Sequence, residues 1–385
     1  MITVIKDIEV YSPDYLGTKQ VVIVGDKIEG IYDKIDIPKD FVNIEVFEGK
    51  NKILFPGFID GHVHICGGGG ESGFSTRTPE IKLTDLTTVG ITTVVGCLGT
   101  DGICRNPTSL IAKAKALEME GITTYCYTGN YEMPVRTLTH SIKEDIMLID
   151  KYIGAGEVAI SDHRSSQATF EQFISVVAQA RVAGMLSGKG GIVNVHVGDG
   201  DRRLEMLFRM MAETEIPVTQ VLPTHINRNK KLFEEGIKYV KKGGYIDLTT
   251  SSDYEANDND ELTASEVLKK FLDLGLPIEH ITFTSDGNGS MPIFNKDGSI
   301  KEMKICSVKT LYDEVKKAIA NNNISIEKAI KVITSNVANL LLLDHKGKVQ
   351  QGYDADFVIV DKDNLDITDV YAKGKLVVNN KIPIV

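Results

Sequence analysis

Two histidines one residue apart close an apolar run in this chain, Leu54-Phe55-Pro56-Gly57-Phe58-Ile59-Asp60-Gly61-His62-Val63-His64. Side chains alternate across a strand, so His62 and His64 share a face, with Asp60 beside them. Two imidazoles converging at the C-terminal end of a strand can bind one metal ion, and neutral imidazole suits zinc-like ions. The bare spacing also fits surface or satisfied core histidines, so the other elements of the chain must decide.

Those elements alternate. Apolar, β-branched runs occur at Ile91–Gly96, Thr123–Tyr127, Val158–Ser161, Gly191–His196, Val221–His225, Tyr245–Thr249 and His280–Asp286. Helical periodicity separates most of them, as at Ser109–Glu120, Phe170–Ala183, Lys231–Lys241 and Glu261–Leu274. Such alternation predicts a parallel α/β fold, most simply a (β/α)8 TIM-type barrel over residues 54–345. Both ends are strand-rich, at Ile8–Tyr11, Val21–Ile28 and Ile44–Phe47, and again at Asp356–Val360 and Gly374–Asn380. They predict a small β-sandwich domain built from residues 1–53 and 346–385, with two unrelated β segments as the alternative.

A barrel of this kind gathers its chemistry where strands end. The predicted strand ends carry His62, His64, Thr100, Tyr131, Glu157 with Arg164, His196, His225 and Asp286, whereas the strand ending near Thr249 offers no obvious ligand. Four of the eight histidines therefore fall at strand ends together with two carboxylates. Such a set would hold two divalent ions about 3.5–4 Å apart with water between them.

The set resembles the amidohydrolase superfamily, and more closely the isoaspartyl (β-aspartyl) dipeptidases. The likeness runs through Gly67-Gly68-Gly69-Gly70-Glu71, Thr76-Arg77-Thr78-Pro79-Glu80, Gly99-Thr100-Asp101, Ile160-Ser161-Asp162-His163-Arg164, Pro223-Thr224-His225-Ile226-Asn227-Arg228-Asn229 and Ser285-Asp286-Gly287-Asn288-Gly289-Ser290. It implies two divalent metal ions, with zinc expected, on His62, His64, Glu157, His196, His225 and Asp286, and a metal-bridging hydroxide as nucleophile. Asp286 would shuttle the proton and Tyr131 would donate to the oxyanion, although spacing alone favours a packed surface aromatic at position 131. Arg164 and Arg228 would grip carboxylate, Glu71 a free amine, and Gly69, Gly70, Thr100 and Ser290 would complete the substrate wall. One departure stands out: these dipeptidases carry a carboxylated lysine where this chain has Glu157, in a segment one residue longer. Glutamate is shorter, so the backbone must approach by roughly 3–4 Å, which the glycines flanking Ala155 would permit. The alternative is a solvated Glu157 and a single metal.

The implied activity is cleavage of the β-aspartyl bond of dipeptides, clearing isomerised peptides. A cyclic-amide hydrolase like the dihydroorotases or hydantoinases is the alternative, and a metal-free scaffold a third. Ring substrates lack the separate amine and carboxylate that Glu71 and the arginines suit, and a buried polar cluster without metal would be costly. His140, His280 and His345 are expected to be structural or exposed, His163 is balanced between supporting and idle, and Cys66 and Cys97 are expected to be small buried hydrophobes. The net charge of −10, from 43 basic and 53 acidic residues, argues against nucleic acid or anionic membrane as partner. No apolar stretch spans a membrane, the charged N-terminus is unlike a signal peptide, and five scattered cysteines suggest no disulfide framework. A cytoplasmic enzyme acting on a small-molecule substrate is expected, and the resemblance implies a homo-oligomer.

Overall fold

Phe58–Val63 (β1) is buried at all six positions, as a strand covered on both faces must be. The computed structural model describes residues 2–38, 43–251, 262–294 and 300–384. Strand β1 begins a six-stranded parallel sheet that continues through Ile91–Gly96 (β2), Thr123–Thr128 (β3), Tyr152–Ile160 (β4), Ile192–Val197 (β5) and Val221–Thr224 (β6). Ile246–Thr249 (β7) and Ile281–Thr284 (β8) form a separate parallel pair. The sheet curls as a half-barrel. Beyond β8 the chain returns to β1, where the His64 N–H donates to Gly287 O at 2.9 Å. At the other edge the Ile226 N–H, just past β6, donates to Asp247 O of β7 at 3.2 Å.

The crossover helices start where side chains can satisfy their free N–H groups. Pro107–Glu120, Phe170–Ser187 and Ala264–Asp273 each carry a reciprocal capping box, on Asn106/Ser109, Thr169/Gln172 and Thr263/Glu266. The last helix is therefore shorter than the periodicity predicts, because Thr263 caps it; Glu261 lies outside the described residues. Lys230–Val240 starts on Asn229 in the same manner. A hairpin of Ser290–Phe294 with Ile300–Ile305 was not evident in the sequence.

The two chain ends meet in one nine-stranded sheet. Its order runs Ile382–Pro383, Lys375–Asn379, Ile367–Ala372, Phe357–Asp361, Lys52–Pro56, Ile2–Tyr11, Tyr15–Val24, Lys27–Tyr32, with Ile44–Glu48 added to Ile2–Tyr11. Lys52–Pro56 leads through Gly57 straight into β1, so this sheet and the metal-type histidines share one continuous segment. A Cβ on Gly57 would lie 2.1 Å from Thr92 Oγ1, which is why the crossing uses glycine. Lys346 ties the units from the other end: its buried ammonium donates to Asp356 Oδ2 at 2.5 Å and Thr123 Oγ1 at 2.6 Å, and pairs with Asp354 Oδ2 at 2.8 Å. Among the described residues no helix is long and apolar enough to cross a membrane.

Candidate metal centre and its pocket

The period-two expectation holds at the end of β1, where the His62 and His64 rings lie 5.4 Å apart, both buried. Asp60 spends its carboxylate on Ser285, accepting from the hydroxyl at 2.5 Å and the N–H at 3.2 Å. Burial pushes that carboxyl up to about 7 against the donors' pull.

Glu157 does not sit at a strand end; it lies inside β4, with three strand residues after it. Ala155 and Val158 pair with Val193 and Val195 of β5, three steps against two, so β4 bulges at Gly156-Glu157. A bulge re-aims a side chain, and here it brings the carboxylate among four imidazoles. Oε2 lies 3.3 Å from His62 Nε2 and 3.7 Å from His64 Nε2. Oε1 lies 2.9 Å from His196 Nδ1 and 3.2 Å from His225 Nε2. Gly156 makes this approach feasible, since its φ is +144° and a Cβ there would lie 2.7 Å from Asn194 O.

The other members arrive from separate strands. His196 is the fifth residue of β5, and His225 follows β6 with φ 64°. Thr249 ends β7 with no ligand of its own, yet its hydroxyl holds His225 Nδ1 at 2.6 Å. Asp286, two residues past β8, places Oδ1 3.0 Å from His64 Nε2 and 3.6 Å from His62 Nε2. Burial raises the Glu157 carboxyl, but His62, His196 and His225 outweigh it and hold it well below the carboxylate range. Asp286 falls to about 2, its burial overcome by His64 and then His225 and His62. Burial takes His225 down to about 3, which keeps it neutral.

The donor set fits a cation better than it fits itself. Both ring nitrogens of His62, Oε2 of Glu157 and Oδ1 of Asp286 are buried and find no hydrogen-bond partner among the described residues. Buried polar atoms of native proteins are normally satisfied. Burial lowers the proton affinity of His62 and His64, yet the neighbouring Cys97, Glu157 and Asp286 raise it further. That negative field would draw a metal ion just as it draws a proton. Among the described residues, two groups of donor atoms lie close enough to hold an ion: His62, His64, Cys97 and Glu157, and Glu157, His196 and His225. Cys97 is buried as expected, and it also stands within reach of the two β1 histidines.

The cluster opens on a cavity of about 330 Å³ walled by Gly69, Glu71, Thr100, Tyr131, Arg164, Arg228, Asp286 and Ser290, among others. Of the residues expected to meet substrate, Gly70 alone is off this wall. Thr100 and Ser290 donate to opposite oxygens of Glu71 at 3.1 and 3.2 Å. Arg164 lies 3.7 Å from Glu71 and forks onto Asp162 through Nε at 3.0 Å and Nη2 at 2.7 Å. Asp162 also meets His196 Nε2 at 2.8 Å, so it orients a metal-type histidine and a wall arginine together. The sequence reading gave Asp162 no role, although it stands two residues before Arg164. Nε of Arg228 has no partner among the described residues. The Tyr131 hydroxyl lies 2.8 Å from His196 Nδ1, and burial pushes its phenol well up, keeping it protonated.

The remaining histidines stay outside the cluster. His163 is 85 % exposed on the rim, His140 is exposed, His280 stacks on Tyr245 at 4.5 Å and His345 meets Tyr353 edge-on. Cys66 is buried as expected.

Residues 53–377 match the model of the Amidohydrolase family. The chain is similar to a crystal structure of β-aspartyl dipeptidase from the thermophilic keratin degrader Fervidobacterium islandicum AW-1 in complex with β-Asp-Leu dipeptide. Identity is 43%, over 100% of this chain and 98% of that one, with a TM-score of 0.92. A D-hydantoinase from Bacillus sp. AR9 shares the fold at 17% identity, over 99% of this chain and 96% of that one, with a TM-score of 0.70. An adenine deaminase of Bacillus pumilus (strain SAFR-032) is 26% identical over 355 residues, 88% of this chain. The chain spans about half, 53%, of that protein's length.

Proposed function

Because this chain belongs to the Amidohydrolase family, we propose that it is a metal-dependent dipeptidase hydrolysing the β-aspartyl (isoaspartyl) bond of dipeptides, and so clearing isomerised peptides. One observation carries the reading: the imidazole–carboxylate cluster opens directly on a wall with both Glu71 and the arginines Arg164 and Arg228. A free β-aspartyl dipeptide carries an ammonium and two carboxylates, which that wall complements. The likeness to a chain crystallised with β-Asp-Leu supports the same substrate.

His62, His64, Glu157 and Asp286 would hold one divalent cation, and Glu157, His196 and His225 a second, with zinc the expected metal. Bound there, the pair supplies a water acidic enough to ionise near neutral pH. Asp286, on the cavity wall, accepts the proton from the attacking water and passes it to the departing amine nitrogen. The protonated Tyr131 phenol donates a hydrogen bond to the developing oxyanion. Arg164 and Arg228 receive carboxylates through planar N–H pairs. Glu71, fixed by Thr100 and Ser290, receives the ammonium, with Gly69 on the same wall.

We further propose that the curled sheet and the β7–β8 pair close as a (β/α)8 barrel over 54–345, with 1–53 and 346–385 forming a β-sandwich unit. The His64–Gly287 bond and the sheet shared by both chain ends support this. The scattered spacing of the five cysteines and the net charge of −10 support a cytoplasmic setting without nucleic-acid or membrane partners; a homo-oligomer belongs to the same proposal. The test compares β-Asp-Leu with α-Asp-Leu before and after chelation. Hydrolysis of the β isomer alone, lost to chelator and restored by zinc, is expected. Equal rates on both isomers would remove the substrate assignment, and indifference to exhaustive chelation would remove the metal.

A further inference from the structure

Resting on the reading that the cluster holds divalent cations, we propose that Cys97 binds one of them through its sulfur, beside His62, His64 and Glu157. Cys97 immediately follows β2, and its N–H donates to Val63 O at 3.0 Å, pinning it to the residue between the two histidines. It is fully buried. Sγ lies 3.8 Å from His64 Nδ1, and the donor atoms of the four residues all lie within 4.8 Å of one another. Independently of the cysteine, both nitrogens of His62 and Oε2 of Glu157 are buried without a hydrogen-bond partner among the described residues. Of these, His62 Nε2 and Glu157 Oε2 stand 3.3 Å apart.

Charge points the same way. Two divalent cations bring four positive charges, and the carboxylates in direct reach, Glu157 and Asp286, return two. Surplus charge in a buried site is costly, and a thiolate reduces it. The exchange is balanced: the S–H proton leaves to solvent as the sulfur–metal bond forms, with no change of oxidation state. A sulfur donor also selects zinc or cobalt over manganese or magnesium.

Cobalt reports on sulfur directly. Full-length protein loaded with Co2+ should show visible d–d bands and a near-ultraviolet sulfur-to-cobalt charge-transfer band. Cys97→Ser should keep the visible bands and lose the charge-transfer band. Visible bands without charge transfer in the unmutated protein, or a charge-transfer band that survives Cys97→Ser, would overturn the proposal and leave the thiol as a hydrogen-bond partner of His64. Should Cys97→Ser not fold, zinc X-ray absorption on the unmutated protein decides. A sulfur shell at about 2.3 Å is expected, and nitrogen and oxygen scatterers alone at about 2.0–2.2 Å would overturn it. Failure of the metal reading itself looks different: no visible band at all and no retained zinc, which sinks this inference with it.

Discussion

Gly156→Ala tests whether the bulge in β4 delivers Glu157 to the metal centre. At φ +144° an L-residue is strained, costing on the order of 1–3 kcal/mol. The added Cβ would also lie 2.7 Å from Asn194 O and 3.0 Å from Asn194 Cβ. Asn194 O is backbone of the neighbouring strand β5, so it cannot swing aside, and the segment 155–158 must shift by a few tenths of an ångström. Glu157 is the next residue, and its carboxylate has to meet both histidine pairs at once. Misplacement approaching 1 Å in such a group costs about 100-fold in rate. Gly121→Ala is the matched control: φ there is +130°, but nothing lies within 4 Å of the new Cβ, and the residue ends a helix. Both variants should lose stability in urea titrations, with Gly156→Ala losing more. Only Gly156→Ala should lose zinc content and about 100-fold of kcat/KM on β-Asp-Leu. Full zinc occupancy and unchanged turnover in folded Gly156→Ala would refute the role given to the bulge.

Lys346→Met removes the buried ammonium shared by Asp354 and Asp356, leaving them only Lys27 and the Lys373 N–H, which should cost about 3–5 kcal/mol in denaturant unfolding at pH 7. Burial raises the Asp354 carboxyl, but Lys346 and Lys27 outweigh it and hold it low. Its stabilising contribution is therefore complete above about pH 4 and fades as pH falls through the depressed folded value. In Lys346→Met, Asp354 binds its proton at higher pH than in the parent, so the stability gap should narrow from pH 7 toward pH 4; a gap that widens would contradict the pairing. Thr249→Val deletes the hydroxyl that holds His225 Nδ1. Zinc affinity, measured by chelator competition, should weaken about 10–100-fold, as for other outer partners of metal-bound imidazoles, and unchanged affinity would show that Thr249 does not orient the ring.

What the chain discloses about this site depends on how local each cause is. The pairing of His62 with His64 needs only the alternation of a strand, and β1 supplies it. His196, His225 and Asp286 needed only the ends of apolar runs, because a parallel sheet gathers such ends whatever its detailed register. Glu157 needed more. Its inward turn depends on β4 holding one residue more than the β5 segment it faces, and the count on β5 is unreadable from β4 alone. The extra residue was visible in Gly154-Ala155-Gly156-Glu157, but its meaning lies in the pairing of Ala155 and Val158 with Val193 and Val195. Asp162 and Thr249 were missed for a related reason. Each touches a histidine on another strand, and neither has a spacing of its own that marks it. The helix Ala264–Asp273 shows the converse: Thr263 and Glu266 stand three apart, a purely local capping signal that places the start at Ala264 rather than Glu261. Positions set by strand period and strand end can thus be read from one sequence, whereas residues that touch them from other strands emerge only once register is known. Gly156 sets the approach of β4, and the Glu157 carboxylate meets four imidazoles at once, so a change at either should register first in metal binding and only then in turnover.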